Sequence, residues 1–113
     1  MCNPIVLERI TRQITREART VFGEGFEKAL LYGSYARGDH DETSDVDIMI
    51  LADIPPEASW AMNQKMNNLA NRLGLENDVL ISLCVKDSKT FYKWLDVLPF
   101  YRNIMKDGVE LNA

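Results

Sequence analysis

The segment from Phe26 to Leu51 constrains the fold more than any other part of the chain. Two runs, Phe26 to Tyr32 and Asp45 to Leu51, have the length and the largely apolar composition of strands. Gly33 to Gly38, between them, predicts a turn with at most one helical turn, and 39–44 is an acidic loop. The sequence therefore predicts two strands separated by a turn and an acidic loop.

Periodic apolar residues predict the remaining elements, with a break at Ile54-Pro55-Pro56. These elements are, in order, a helix over Pro4 to Phe22, a helix carrying Met62, Met66, Leu69 and Leu73 and ended by Gly74, a strand over Val79 to Val85, and short helices over Ser88 to Leu95 and Phe100 to Met105. The order α-β-β-α-β-α-α predicts an α/β (α+β) fold. We expect a short mixed sheet of about three to four strands flanked by helices, in a single domain over 1–113.

Length and charge exclude several functions. A chain of 113 residues has room for one core, so we expect one active face. Thirteen Lys and Arg against 17 Asp and Glu give a net charge of -4, which disfavours a stand-alone nucleic-acid binder. Cys2 and Cys84 form neither a disulfide framework nor a metal-ligand spacing. No apolar run approaches the roughly 18 residues of a membrane span, so a cytoplasmic location is expected.

Some surface patterns allow two interpretations. Four arginines share one stripe of the first helix: Arg9, Arg12, Arg16 and Arg19. A solvated charged face is favoured, and contact with an acidic partner or nucleic acid is the alternative. Five aromatic residues lie together near the C-terminus: Phe91, Tyr92, Trp94, Phe100 and Tyr101. Most are expected in the core, with a partner-binding patch as the alternative. His40 is expected to be exposed in its loop, and the exposure of Trp60 stays open.

Two carboxylates at the head of the second strand are the first chemical signal. Side chains alternate across a strand, so Asp45 and Asp47 share one face while Val46, Ile48 and Ile50 face the core. Like charges held close together are costly to ionise unless a cation compensates. Hard oxygen ligands suit Mg²⁺, with substrate phosphate completing its coordination. The alternative is a solvated acidic loop that runs into a strand.

The Gly33-Ser34 turn and Asp78 extend this candidate site. A glycine lets an anion approach the main chain, so the turn could hold phosphate, with Arg37 one turn later to reach a phosphate oxygen. A simple helix cap is the alternative for Ser34. Asp78 is predicted to open the third strand and to join Asp45 and Asp47 if the strand ends match. Three carboxylates could bind two metal ions roughly 4 Å apart. A turn residue at the strand entry is the alternative for Asp78.

Gly33-Ser34, ten intervening residues and Asp45-Val46-Asp47 resemble the signature of the DNA polymerase β-like nucleotidyltransferase superfamily. The longer forms GSYARGD and SDVDIMIL resemble the minimal nucleotidyltransferases, the short antitoxins that are paired with HEPN-domain toxins. The resemblance extends over nearly the whole chain. Asp78 stands where these proteins carry their third carboxylate, and PFYRNIMKDGVEL is similar to their closing segment.

This resemblance implies that a nucleoside monophosphate, most simply AMP from ATP, is moved to a hydroxyl while pyrophosphate leaves. The implied acceptor is a tyrosine of a HEPN ribonuclease toxin, which would make the chain an antitoxin. The alternative is a non-catalytic antitoxin that neutralises its partner by binding alone. The resemblance implies two Mg²⁺ ions, with Asp45 and Asp47 as metal ligands and Asp78 as third ligand and general base. It also implies a triphosphate cradle formed by Gly33 and Ser34, with Arg37 in the same motif.

Overall fold

The computed structural model describes residues 3–112, so Cys2 lies outside the described residues. The helices are α1 (Pro4–Phe22), α2 (Ser34–Arg37), α3 (Ser59–Asn77), α4 (Ser88–Trp94) and α5 (Pro99–Asp107). The strands are β1 (Phe26–Tyr32), β2 (Val46–Ala52), β3 (Ile81–Asp87) and β4 (Val109–Leu111). Short 3-10 turns at Gly23–Gly25 and Pro56–Ala58 precede β1 and α3. Within residues 3–112, no helix is both long and apolar enough to cross a bilayer.

The four strands form one mixed sheet in the order β3-β2-β1-β4. β1 pairs with β2 and with β4 in antiparallel fashion, whereas β2 and β3 are parallel and are connected through α3. A parallel pair needs such a crossover, because a tight turn can only reverse the chain direction. The mixed α/β architecture is confirmed. The sequence prediction missed β4, because three residues are too short to show a strand pattern.

Alternation along β2 divides the core between the two faces of the sheet. Val46, Ile48 and Ile50 are fully buried on one face, where they pack with apolar residues of α1 and α3. We call this the α1/α3 face. Its buried helix residues follow helical spacing and are Ile10, Ile14, Ala18, Met66, Ala70 and Leu73.

The opposite side of the sheet, the α4/α5 face, is covered by two much shorter helices. Met49 and Leu51 of β2 pack there with Leu30, Phe91 and Ile104. α4 and α5 have seven and nine residues, against 19 each for α1 and α3. The α4/α5 face therefore has room for a cavity at the end of β2 that begins after Asp45.

The passage from α3 to β3 differs from the sequence prediction. α3 continues through Gly74 to Asn77, so the prediction that Gly74 ends this helix is wrong. A Cβ at Gly74 would lie 2.6 Å from the carbonyl oxygen of Val79, so this glycine lets the returning chain pack against the helix. Asp78 is the C-cap of α3, with a φ of 52°. The prediction that Asp78 opens the third strand is therefore wrong, because β3 begins at Ile81.

Candidate active site

Strand register places three polar side chains in one row across the sheet. Tyr32 of β1 is paired with Asp47 of β2, and Asp47 is paired with Ser82 of β3. Paired residues point to the same face, and Met49 and Cys84, the next pair along that face, lie together in the α4/α5 cluster. The row therefore belongs to the α4/α5 face, at the end where the helices leave it open.

The predicted pair Asp45 and Asp47 is brought together. Asp45 lies one residue before β2 and Asp47 is the second residue of the strand; both are half-buried. The pKa of Asp47 is raised, first because burial penalises its charge and then because of the negative charge of Asp45, while the positive charge of Arg37 acts in the opposite direction. The two carboxylates thus sense each other, which is the situation that a hard divalent cation relieves.

Gly33 lies so close to the Asp47 carboxylate that any Cβ at this position would force the carboxylate to move. Its φ is 76°, a conformation that side chains disfavour, and a Cβ at this position would collide with Oδ2 of Asp47. Ser34 begins α2, and its carbonyl oxygen accepts hydrogen bonds from the N–H groups of Gly38 and Asp39 at 2.9 and 3.1 Å. The turn and the acidic strand head therefore form one contiguous surface.

Arg37 interacts with two carboxylates, those of Asp39 and Asp47. Its Nε donates to Oδ2 of Asp39 at 3.2 Å in an exposed ion pair, and its positive charge also acts on Asp47. An exposed pair of this kind contributes little to stability, so the guanidinium can exchange Asp39 for another anion at small cost. Arg37 therefore supplies a cation beside the carboxylate pair.

Tyr32 is a functional candidate that the sequence analysis missed. Burial raises its pKa to about 12, and the Cys84 thiol and the Asp47 carboxylate add to the shift. The hydroxyl stays protonated at neutral pH and can donate a hydrogen bond next to Asp47. Its position directly before Gly33 was visible in the sequence, but the register that places it beside Asp47 was not.

A cavity of about 380 Å³ opens beside this row. One end of it is lined by Tyr32, Gly33, Arg37 and Asp47, and the other end by residues of α5. The sequence analysis singled out none of the α5 residues for chemistry. Their shared spacing of three and four residues was the available signal, and the buried Ile104 identifies which side of α5 faces the sheet. The α5 residues that line the cavity are Phe100, Asn103, Ile104 and Asp107.

The structure does not bring Asp78 to this cavity. Asp78 is exposed and lines a separate cavity of about 460 Å³ between the end of α3 and the start of β3, together with Asn71 and Leu80. Within residues 3–112, no group of three or more His, Cys, Asp or Glu side chains is arranged to hold a metal ion. The predicted three-carboxylate cluster is therefore not formed. The physical reason is register: the β3 residue beside Asp47 is Ser82, a hydroxyl.

The remaining candidates have mixed outcomes. The His40 ring stacks on that of Tyr35 with centroids 4.1 Å apart, and its Nδ1 is buried with no hydrogen-bond partner in the described chain. The prediction of a solvent-exposed His40 is therefore wrong.

Trp60 is 77% exposed. Among the C-terminal aromatic residues, Phe91 is fully buried as expected, but the prediction of core positions is wrong for Tyr92, Trp94 and Phe100, which are exposed.

The α1 stripe is a solvated face, as favoured. Arg9 donates to Oδ1 of Asn77 at 2.6 Å, and Arg12 pairs with Glu8 at 2.6 Å. Arg19 lies over the ring of Phe26 at 4.8 Å. The arginines are exposed, and the Arg9 hydrogen bond joins α1 to the end of α3. None of these contacts tests whether the stripe binds a partner, which stays a prediction.

A family model described as a nucleotidyltransferase domain matches residues 12–110. This chain belongs to the nucleotidyltransferase domain family. The match spans β1, β2 and β3, and with them both elements that carry the site, the Gly33-Ser34 turn and the Asp45 to Asp47 strand head. The chain is therefore a nucleotidyltransferase, an enzyme of the class that uses a nucleoside triphosphate with a divalent metal ion.

Individual relatives agree with this assignment. The Methanocaldococcus jannaschii protein named "Putative protein adenylyltransferase MJ0141" is 38% identical over 102 residues, which cover 90% of this nucleotidyltransferase and 95% of that protein. A "putative nucleotidyltransferase" from Sulfolobus solfataricus, solved by crystallography, has a TM-score of 0.58 at 24% identity, covering 94% of this chain and 79% of that one. A toxin-antitoxin crystal structure with AMP-PNP gives 0.54 at 20% identity, covering 94% and 73%. Both solved structures share the fold of this nucleotidyltransferase.

Proposed function

We propose that this nucleotidyltransferase transfers AMP from ATP to a tyrosine hydroxyl of a HEPN-domain ribonuclease toxin, with Mg²⁺ as its metal, and so acts as an antitoxin. The observation that carries the proposal is the contact between the Gly33 backbone and the Asp47 carboxylate, with Asp45 beside it. A phosphate cradle and a pair of hard oxygen ligands then meet at one point.

The carboxylate pair fits a magnesium ion. Mg²⁺ is commonly held by one or two protein carboxylates, with substrate phosphates and water completing the octahedron, so Asp45 and Asp47 suffice without a third acidic side chain. When bound, the metal supplies charge neutralisation for the triphosphate and for the attacking oxygen. Where a second ion is bound, as the family resemblance implies, Asp45 and Asp47 are the residues that would hold it.

The chain's own residues have separable tasks in this transfer. Gly33 and Ser34 leave the main chain open to phosphate oxygens, and Arg37 supplies positive charge for the departing pyrophosphate. The acceptor oxygen bonds to the α-phosphorus, the bond from that phosphorus to the bridging oxygen breaks, and pyrophosphate leaves with the bonding electrons. The acceptor proton goes to a base or to water. Asp78, in its separate cavity, is too poorly placed to be proposed as that base.

Two considerations favour a protein as the acceptor. The cavity is lined by Phe100, which is 53% exposed, and the chain just before it exposes Trp94 and Leu98. Exposed apolar residues near a site suit a docked protein better than a free small molecule. The name of the archaeal relative also specifies protein adenylylation, and the AMP-PNP structure is that of a toxin-antitoxin pair.

The test uses the HEPN protein encoded beside this chain, where one exists, with ATP and Mg²⁺. Intact mass of the partner is measured with the wild type, with Asp45→Asn and with Glu42→Gln, which removes an exposed carboxylate from the adjacent loop. The wild type and Glu42→Gln should add the mass of AMP, and Asp45→Asn should slow the addition about a thousandfold, since loss of metal stabilisation costs several kcal/mol.

Ribonuclease activity of the partner, measured in the same samples, separates the alternative. If Asp45→Asn silences the ribonuclease as well as the wild type does, and no mass is gained, then binding alone neutralises the partner. The exposed apolar residues Trp94 and Leu98 are the surface that such an interaction would use. That result would contradict the catalytic proposal.

A further inference from the structure

The cavity beside Asp47 has two chemically different ends, and the proposed function uses only one of them. The first end carries Gly33, Arg37 and Asp47, which suit phosphates and metal. The second end is formed by α5, which carries no positive charge into the cavity. The volume of the whole cavity, about 380 Å³, lies within the usual range of small-molecule sites, roughly 300–1,000 Å³.

The α5 wall is a single face of one helix. Phe100, Asn103, Ile104 and Asp107 follow the spacing i, i+3, i+4 and i+7, which places all four side chains on one side of α5. Ile104 is only 2% exposed and packs on the sheet, so it fixes the rotation of the helix. The same wall contacts the polar row of β1 and β2, because the ring of Phe100 packs edge-on against that of Tyr32 with centroids 6.0 Å apart.

Two polar side chains on this wall are unused by the fold. Neither Asn103 nor Asp107 makes a side-chain hydrogen bond or an ion pair with any residue from 3 to 112. The amide of Asn103 offers both donors and an acceptor, whereas the carboxylate of Asp107 only accepts. One helical turn apart, they present a mixed hydrogen-bonding surface to whatever occupies this end of the cavity.

Charge decides which half of a nucleotide lies at this end. A carboxylate that holds no metal ion repels phosphates, so Asp107 disfavours the triphosphate at its end of the cavity. At the other end Arg37 and the open Gly33 backbone favour the triphosphate, and the proposed Mg²⁺ would neutralise the charge of Asp47. A neutral group with several hydroxyl and amine donors suits Asp107 and Asn103, and an aromatic base can stack on the exposed ring of Phe100.

On the basis of the proposed function, we infer that the α5 end of the cavity binds the nucleoside half of the nucleoside triphosphate. Asn103 and Asp107 hydrogen-bond to the ribose and base, and Phe100 supplies the stacking surface. These residues make the enzyme prefer a nucleotide over a bare polyphosphate, and they act on substrate binding rather than on the transfer step.

The test compares two probes, ATP and inorganic tripolyphosphate, each with Mg²⁺, by calorimetric measurement of Kd. Asn103→Ala should weaken ATP binding about tenfold, the equivalent of about one good hydrogen bond, and leave tripolyphosphate binding unchanged. Asp107→Asn should weaken ATP binding about three- to tenfold and slightly strengthen tripolyphosphate binding, because a repelling charge is removed.

Matched controls come from the same region outside the cavity. Met105→Ala truncates an α5 side chain that points away from it, and Glu110→Gln removes an exposed carboxylate from β4. Neither should change the ratio of the two Kd values. If Asn103→Ala and Asp107→Asn also leave that ratio at its wild-type value, or if Asp107→Asn abolishes transfer without changing either Kd, the inference is overturned. Failure of the wild type to bind either probe would instead overturn the proposed function, and with it the inference.

Discussion

The two faces of the sheet use the same strand for opposite purposes. On the α1/α3 face, Val46, Ile48 and Ile50 of β2 are fully buried under two 19-residue helices. On the α4/α5 face, the same strand buries Met49 and Leu51 but leaves Asp47 half-exposed in a cavity. Burial of apolar area on the first face stabilises the fold, so the second face can hold two carboxylates that destabilise each other.

This difference explains how a small enzyme tolerates an electrostatically costly site. The raised pKa of Asp47 shows that its charge is disfavoured in the folded protein. The α1/α3 face is closed by long helices, so the packing that holds the sheet together does not depend on the two carboxylates. The predictions that follow test whether the two faces are separable in this way.

The largest effect is expected from Ile50→Ala on the α1/α3 face. Ile50 is fully buried, so its truncation should lower the free energy of unfolding by about 2–5 kcal/mol, measured by urea titration. ATP affinity, measured where the variant is folded, should stay at the wild-type value. Val97→Ala, at a 60% exposed position, is the control for losing an apolar side chain without a cavity. A loss of ATP affinity in the Ile50 variant would show that the two faces are coupled.

Gly33→Ala should slow transfer about a hundredfold, because its Cβ would displace the Asp47 carboxylate and misplacement of about 1 Å has effects of that size. Gly38→Ala is the control for a positive φ without a contact: its φ is 82° and nothing lies within 4 Å of its Cβ. Its ψ of 10° is in the left-handed helical region, which alanine tolerates better than the Gly33 conformation with its ψ of -156°. Transfer rates and thermal stability are measured for both variants. Equal rates in the two would mean that backbone strain, and not the contact with Asp47, explains the requirement for glycine.

The Asp47 charge predicts a smaller effect on stability. Because the pKa of Asp47 is higher in the folded than in the unfolded chain, the fold binds the proton more tightly, and stability from this group is lost as pH rises through the folded pKa. At pH 7 without metal, Asp47→Asn should therefore raise Tm by about 2 °C. Mg²⁺ with nucleotide should raise the Tm of the wild type and much less that of the variant.

Differential scanning calorimetry between pH 4 and 8 checks this prediction. Asp53→Asn, at the other end of the same strand, removes an exposed carboxylate and should leave the pH profile unchanged. A metal-free Asp47→Asn protein that melts below the wild type at pH 7 would show that the carboxylate stabilises the fold, against the raised pKa.

Asp78→Asn should have the smallest effect, a change in transfer rate within about twofold, as for an exposed position away from the site. Asn is compatible with the left-handed backbone at this C-cap, so the substitution should not strain the end of α3. Steady-state transfer rates give the answer. A loss comparable to that of Asp45→Asn would restore the role of third ligand to Asp78.

Local patterns were sufficient for part of the site. The alternation of Asp45, Val46 and Asp47 at the head of an apolar strand predicted that the two carboxylates share a face, and the structure brings them together. The closeness of the Gly33 turn to this strand also follows from local features, because β1 ends in the turn and pairs directly with β2.

Long-range register could not be predicted in the same way. Which residue of β3 lies beside Asp47 depends on where α3 ends, and α3 runs through Gly74 to the left-handed Asp78 before the strand begins. Because β3 begins only at Ile81, the residue beside Asp47 is Ser82 and not the expected carboxylate of Asp78. The α5 wall depends in the same way on tertiary packing, since only the burial of Ile104 against the sheet shows which side of the helix faces the cavity.

The most direct test of the central claim, that the α4/α5 face transfers a nucleotidyl group, follows which phosphorus of ATP becomes protein-bound. ATP labelled at either the α- or the γ-phosphorus is incubated with the enzyme, Mg²⁺ and its partner, using the wild type and Asp47→Asn. We expect the α-label to become attached to protein, the γ-label to be released as pyrophosphate, and Asp47→Asn to lose the attachment. Attachment of the γ-label, or equal attachment of the α-label by Asp47→Asn, would contradict this claim.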